Sequence, residues 1–343
     1  MLNTKAKLVE DLFSTNIKTA STRDGFGTGS VEAARADANV VVLCADLAES
    51  TRADWFRKEF PERFVEMGVA EQNMASVASG MASVGKVPFI ASYSMFNPGR
   101  NYEHIRTTIA LNQMRVVVCG MHAGVSVGPD GATHQMLEDI GLMRMLPGMV
   151  VIAPGDAEEA RKAVVAAAKH DGPVYLRFGR EATPVFTTSE TPFSIGKALT
   201  LWEPETRSKK TTVAILATGA LSYAALCAAR TLAQHQDGLD AGRADEGIDS
   251  IVLHVPTIKP LDEDAIIGAA SRASRVITVE EHQTAGGFGS AIAELLSERH
   301  PMPIKRLGIQ DRFGESGTPD ELLAQHGLDA LHIAESIRAF VRI

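Results

Sequence analysis

VEMGVAEQNMASVASGMASVG, residues 65–85, is followed almost at once by the apolar run VPFIAS (87–92), and this pairing sets the helix-then-strand rhythm of the chain. Ala70, Ala75, Ser76, Ala78, Ser79, Gly80, Ala82 and Ser83 leave the helix expected at 69–84 with hardly any side-chain bulk. So thin a helix admits another backbone closely, which places it in a tight interface rather than on a wet surface. Glu71 stands at its mouth. A carboxylate entering such a place loses solvent, and desolvation raises its pKa, which is what a proton-relaying acid needs. The plainer reading is an exposed first-turn acid complementing the helix dipole.

Outward from this stretch the alternation continues. Strands are predicted at NVVVLC (39–44), VPFIAS (87–92), RVVVCG (115–120), MVVIAP (149–154) and VYLRF (174–178), with helices near 28–38, 69–84, 99–113, 134–145 and 156–169. Apolar strands bounded by Gly and Pro and separated by helices predict a parallel sheet covered on both faces. The Pro- and Thr-rich passage EATPVFTTSETPFSIG (181–196) reads as a linker. A second alternation has strands at 211–219, 249–255, 275–281 and 303–309 and helices near 220–234, 262–272 and 286–298, which predicts a smaller α/β domain. HQDGLDAGRADEGID (235–249) reads as an outer loop. The fold class is therefore α/β with two domains, 1–190 and 211–343, joined by a linker at 191–210.

A chain of 343 residues suits two cores. Hydrophobic content of 45% and charged content of 22% are those of a folded globular protein. The net charge of -8 argues against a nucleic-acid backbone as partner, while a few placed arginines can still hold a small anion. Cys44, Cys119 and Cys227 are odd in number and far apart, and read as reduced thiols with no metal spacing. No apolar run approaches membrane-spanning length, and MLNTKAKLVEDLF at the start reads as an amphipathic helix rather than a signal peptide. A cytoplasmic protein is expected.

Ligand sites in open α/β sheets gather beyond the carboxyl ends of the strands. There the first domain carries Asp46 and Ser50, then Tyr93 and Phe96, then His122, Asp130 and His134, then Arg180. Two histidines, two aspartates, two aromatics and an arginine on one rim exceed what a scaffold needs, although Phe96 alone could be a core ring. GFGTG (25–29) has no strand before it and reads as a turn into a helix, not a nucleotide loop.

GVAEQNM, SYSMFNPGR, MHAGVSVGPDGATHQ, GPVYLRFGR and VEEHQTAGGFGSAI, in this order and spacing, resemble the pyrimidine-binding and C-terminal domains of transketolase, from about Arg23 to about Gly289. The resemblance implies a pyrimidine-binding domain over 1–190 and a transketolase C-terminal domain over 211–343. It implies thiamine diphosphate as cofactor, with Glu71 on a ring nitrogen of the aminopyrimidine, Phe96 stacked on the ring, and Tyr93 and Asp46 beside it. Tyr93 departs from the more usual Phe. His122, Asp130 and His134 match residues that bind sugar hydroxyls and assist proton transfer, a task suited to imidazoles titrating near neutrality. Arg23, Ser50 and Arg180 match a terminal-phosphate site, where guanidinium geometry suits phosphate. Arg177 lies close in sequence, but spacing from Gly172-Pro173 favours Arg180. His254 and His282 are lesser candidates in the second domain, whose expected role is packing of the assembly.

The family's magnesium motif, GDG with a downstream Asn, is absent from the chain. The resemblance therefore implies a partner subunit that supplies the diphosphate site and the Mg2+ (or Ca2+), in an α2β2 assembly, with no metal ligand assigned here. The implied activity is transfer of a two-carbon ketol unit from a phosphorylated or similarly anionic ketose to an aldose. Two other readings are carried. A 2-oxo-acid dehydrogenase β subunit shares the GxAEQ text but not DGxTH. A deoxyxylulose phosphate synthase shares DGxTH but is one long chain. The non-enzyme alternative is a degenerate scaffold or ligand-binding subunit, which has no use for Glu71, Phe96, His122, Asp130 and His134 together.

Overall fold

The protein is described by a computed structural model covering residues 1–204, 212–234 and 248–342. Strands run in chain order as β1 (Thr19–Ser21), β2 (Val40–Cys44), β3 (Phe64–Glu66), β4 (Val87–Tyr93), β5 (Val117–Met121), β6 (Val150–Ile152) and β7 (Val174–Arg177). They continue as β8 (Ala182–Pro184), β9 (Leu199–Trp202), β10 (Thr212–Ala217), β11 (Asp249–His254), β12 (Thr257–Lys259), β13 (Arg275–Gln283) and β14 (Ile304–Ile309). Helices are α1 (Thr22–Ala36), α2 (Ala48–Thr51), α3 (Ala53–Glu59), α4 (Glu71–Ser83), α5 (Tyr102–His104) and α6 (Asp139–Arg144). Then come α7 (Ala157–Lys169), α8 (Leu221–Gln234), α9 (Glu263–Ala270), α10 (Phe288–Arg299), α11 (Pro319–Gln325) and α12 (Ala330–Val341).

Two parallel-rich sheets organise the molecule. The larger has the order β12-β6-β7-β5-β4-β2-β3 and the smaller β14-β13-β10-β11-β9. Each carries an antiparallel edge strand that the alternation did not announce. β9 pairs with β11, and β12 crosses from the second half of the chain to pair with β6, Thr257 opposite Ile152. Both are short and follow Pro- or Gly-containing passages, so periodicity was weak there.

The pleat of β2 shows how the core is shared. Val40, Val42 and Cys44 face a cluster with Phe26, Phe89 and Val164, under α1 and α7. Val41 and Leu43 face the opposite cluster, which runs without a break into Leu216, Ile251 and Leu253 of the second sheet. Apolar packing thus joins the two halves.

Sequence expectation and structure part company at five places. GFGTG lies inside α1, which begins at Thr22 behind a Ser21–Asp24 capping box. A Cβ on Gly25 would stand 2.6 Å from Cβ of Ala160, and one on Gly29 would stand 2.8 Å from the Arg161 carbonyl. The glycines therefore serve close packing of α1 on α7. The start of the chain is no amphipathic helix. It keeps one 3-10 turn, Thr4–Ala6, and then passes through irregular turns, because Asn3 and Val9 bond the carbonyls of Leu201 and Phe186 and draw Ala6 and Leu12 into the second core. The helix expected at 134–145 is confined to α6, and that expected at 99–113 is α5 continued by a π-helix, Ile105–Ala110. The passage 181–196 is packed rather than free: Phe186 is buried, and Asp156 accepts from the backbone N–H of Phe186 and of Thr187. Of the loop expected at 235–249, residues 235–247 lie outside the described residues. Among the described residues no helix is long and apolar enough to cross a membrane.

Buried polar groups join the halves as well. Arg177 donates through Nε to Asp139 (2.7 Å) and through Nη2 to the carbonyl of Glu281 (2.8 Å). Asp139 also accepts from the Tyr175 hydroxyl (2.7 Å). Burial alone would lift the Asp139 carboxyl, but the Arg177 charge, with His282 and Tyr175, holds it below its usual value. Replacing one member of such a buried pair leaves an uncompensated charge. Arg177→Met should therefore lower stability by about 3–5 kcal/mol in urea unfolding at neutral pH. Because the folded value of Asp139 lies below the unfolded one, its contribution is complete above about pH 4 and fades as acid titrates through the folded value. Without Arg177, burial lifts the Asp139 carboxyl of the variant, so its deficit should begin to shrink above about pH 4 and go on shrinking below it; a deficit that grows on acidification would contradict the assignment.

Candidate active site

β3, β2, β4, β5 and β7 lie side by side and parallel, so their carboxyl ends form one arc. Glu71 opens α4 just after β3. Its carboxylate is buried, 2% exposed, and its backbone carbonyl is held by the Asn101 side chain (3.1 Å). Oε1 accepts from the Ser92 hydroxyl (3.4 Å), and Oε2 accepts from Nη1 of Arg100 (2.9 Å). The guanidinium of Arg100 lies in turn over the ring of Phe96, 4.5 Å from its centroid. The plain first-turn reading of Glu71 fails: the group is enclosed.

From Phe96 the contacts run on without a gap. His134 meets Phe96 edge-on at 5.6 Å, and Tyr93 lies nearly parallel to Phe96 at 6.2 Å. Tyr93 stacks on His122 at 4.1 Å, and its hydroxyl is hydrogen-bonded to that of Ser50 (2.7 Å). Arg23, in the first turn of α1, donates through Nη1 to the Ser50 carbonyl (2.8 Å) and to Nε2 of His122 (3.2 Å). A guanidinium only donates, so His122 carries its proton on Nδ1. That Nδ1 is buried and has no hydrogen-bond partner among the described residues. Burial first, and then the charges of Arg23 and Arg180, push the His122 imidazole down to about 3. This corrects the sequence expectation for His122: in this arrangement it is neutral at every physiological pH. Its backbone is also unusual, with φ of 55° in the left-handed region, a strain that surrounding contacts must sustain.

Three guanidiniums gather on this side. Arg52, which sequence reasoning missed, is paired with Asp24 (2.7 Å). Arg180 is paired with Asp130 (3.0 Å) and bonds the Val127 carbonyl. Arg23 has no carboxylate within 4.0 Å among the described residues, and its Nε is buried without a partner. Burial and the charges of Arg52 and Arg180 hold it below its ordinary pKa. An incoming anion would relieve both conditions.

Asp46 stands apart. It is exposed at the end of β2, in the left-handed region at φ 59°, with its backbone N–H held by Glu66 (2.8 Å). No contact among the described residues joins its side chain to the others. Arg177 belongs to the buried junction and not to the rim. So do the second-domain histidines. His282 accepts at Nε2 from the Gly141 N–H, and His254 lies between Ser222 (2.6 Å) and Glu159 (2.7 Å). That last set has the order of a nucleophilic triad, but Ser222 and His254 are 0% exposed and the link is structural. The second half does reach the rim indirectly. Gln135, next to His134, donates to the carbonyls of Val125, Gly128 and Glu315 and so ties the loop of Asp130 and His134 to the segment before α11.

Comparison with known proteins shows the family of the chain. The family profile described as "Transketolase, pyrimidine binding domain" matches residues 18–185, and "Transketolase, C-terminal domain" matches residues 203–333. A protein of Methanocaldococcus jannaschii, provisionally named a transketolase C-terminal section, is 41% identical over 92% of this chain and 94% of its own length. A 6-deoxy-6-sulfo-D-fructose transketolase subunit of a Clostridium species is 36% identical over 92% of each. A solved split-gene transketolase, an inactive β4 tetramer, aligns with a TM-score of 0.82 at 38% identity, over 93% of this chain and 97% of that one. This chain belongs to the transketolase family and carries its pyrimidine-binding domain followed by its C-terminal domain.

Proposed function

We propose that this chain is one subunit of a two-chain, thiamine diphosphate-dependent transketolase that moves a two-carbon ketol unit from an anionic ketose to an aldose. The observation that carries this reading is the unbroken line of contacts from the enclosed Glu71 carboxylate to the half-buried Arg23 guanidinium. It offers a ring site at one end and an anion site at the other. Glu71 and Phe96 suit an aminopyrimidine, a flat ring whose nitrogen can share a proton with a buried carboxyl; Tyr93 stands behind Phe96, and Asp46 borders the site. When bound, the cofactor serves as electron sink for the bond cleavage. The chain's own residues orient and stabilise. Neutral His122 and half-buried His134 present N–H groups to sugar hydroxyls, with Asp130 beside them. The orphaned Nδ1–H of His122 is a donor that a substrate oxygen satisfies. Arg23, Ser50 and Arg180 receive the terminal anion, phosphate or sulfonate, the latter being named for the Clostridium relative.

The partner would carry the diphosphate and the Mg2+ or Ca2+ in an α2β2 assembly, and the chain alone would be inactive, as the solved β4 relative is. One face of α4 supports such a contact. Gln72, Asn73, Gly80 and Ser83 are exposed along it, and a Cβ at Gly80 would meet nothing within 4 Å. Val69 and Val84 stand 69% and 77% exposed at its ends.

Three outcomes test the proposal. This chain mixed with its diphosphate-binding partner, thiamine diphosphate and magnesium should transfer ketol units, and Glu71→Gln should lower that rate by about 10²–10⁴-fold while assembly persists. Undiminished turnover in the variant would remove Glu71 from the mechanism. Arg23→Met should raise the KM for an anionic ketose by about 10–100-fold, and Arg180→Ala by less, because Arg180 already has Asp130. Equal effects on charged and uncharged ketoses would make both arginines structural. Gly80→Arg adds a better helix former to the chain alone, worth roughly 1 kcal/mol, yet should block assembly in sedimentation. A variant that still assembles would place the partner elsewhere.

A further inference from the structure

The Arg100–Glu71 ion pair is lopsided. Glu71 is sealed, while the Arg100 side chain is 45% exposed and reaches the carboxylate through Nη1 alone. The same guanidinium covers Phe96. Arg100 therefore engages both groups that the proposed function gives to the ligand ring, one by hydrogen bond and one by stacking. A guanidinium is planar, π-delocalised and presents N–H groups in its plane. An aminopyrimidine is planar and aromatic, and when it takes up a proton it presents an N–C–N edge of the same kind. The chemistry that suits one suits the other.

We propose that Arg100 is a built-in stand-in for the ligand ring, holding Glu71 and Phe96 in readiness and swinging off them when the ring arrives. The inference rests on the proposed function and adds a residue and an order of events to it. Glu71 is anchored by Ser92 and by Asn101 on its own carbonyl, so the arginine is the member free to move. Its own move to solvent is short, because nearly half of its surface already faces water, and the sealed carboxylate is not left unpaired, because the arriving ring takes over the donor's place. The apparent affinity for the ring is reduced by the fraction of time Arg100 is in place.

The test is calorimetric titration of the two-chain complex with thiamine diphosphate, with wild type, Arg100→Met and Arg100→Gln in parallel. Both variants should bind roughly tenfold more tightly than wild type. Methylguanidinium added to either variant should compete with the cofactor and return the affinity toward wild type. Two substitutions guard against one that fails to fold. Weaker or unchanged binding in folded variants would overturn the inference and make Arg100 a permanent part of the site or a bystander, with the proposed function intact. A wild-type complex that binds no thiamine diphosphate would overturn the proposed function itself, and the inference with it.

Discussion

The Arg177 guanidinium, buried at the end of β7, is the interaction on which both halves of the molecule turn. It pulls Asp139 from the start of α6 and the Glu281 carbonyl from β13 onto one point. A charge in such a place is tolerated only when its donors are met, so its partners hold narrow positions. Those positions set the register between the sheets. Three residues further on, the chain emerges at Arg180, which therefore arrives at the rim already located.

Much of this was legible in the sequence because strands buried on both faces announce themselves as continuous β-branched runs. VVVLC, VVCGM and VVI each form a strand within or overlapping the apolar runs. The rim residues could be named for the same reason: once parallel strands are placed, the loops leaving their carboxyl ends all emerge on one side of the sheet. Tertiary contacts set the features that escaped the reading. GFGTG has the composition of a turn, but α7 packed against it makes its glycines helical. The start of the chain has helical periodicity, but Leu201 and Phe186 claim its hydrogen bonds. Arg100 and Asn101 were in plain view within SYSMFNPGRN, yet no local pattern says that an arginine will fold back onto a carboxylate 29 residues earlier. His122 was recognised as a candidate, whereas its neutral state comes from burial and then from two arginines distant in sequence.

The electrostatic layout of the rim divides along its length. Toward α1 three guanidiniums gather, and Arg23 is the one with no carboxylate within 4.0 Å among the described residues. Toward α4 a single acid is closed in beside an aromatic ring. The imidazole of His122 lies between the two ends, kept uncharged by burial and then by the guanidiniums of the first. Cation, neutral imidazole and acid thus follow one another along the rim.

The strand β12 has a consequence for the chain as a piece of polymer. It leaves the second half, lies antiparallel along β6 and returns, so the outermost pairing of the larger sheet is supplied by residues more than a hundred positions downstream. A chain cut or stalled before Thr257 would present Val150, Val151 and Ile152 as an open, apolar border. Such borders recruit other chains by strand addition. The two halves are thus interleaved and not merely adjacent, and synthesis must run well past the first sheet before that sheet is safe from aggregation.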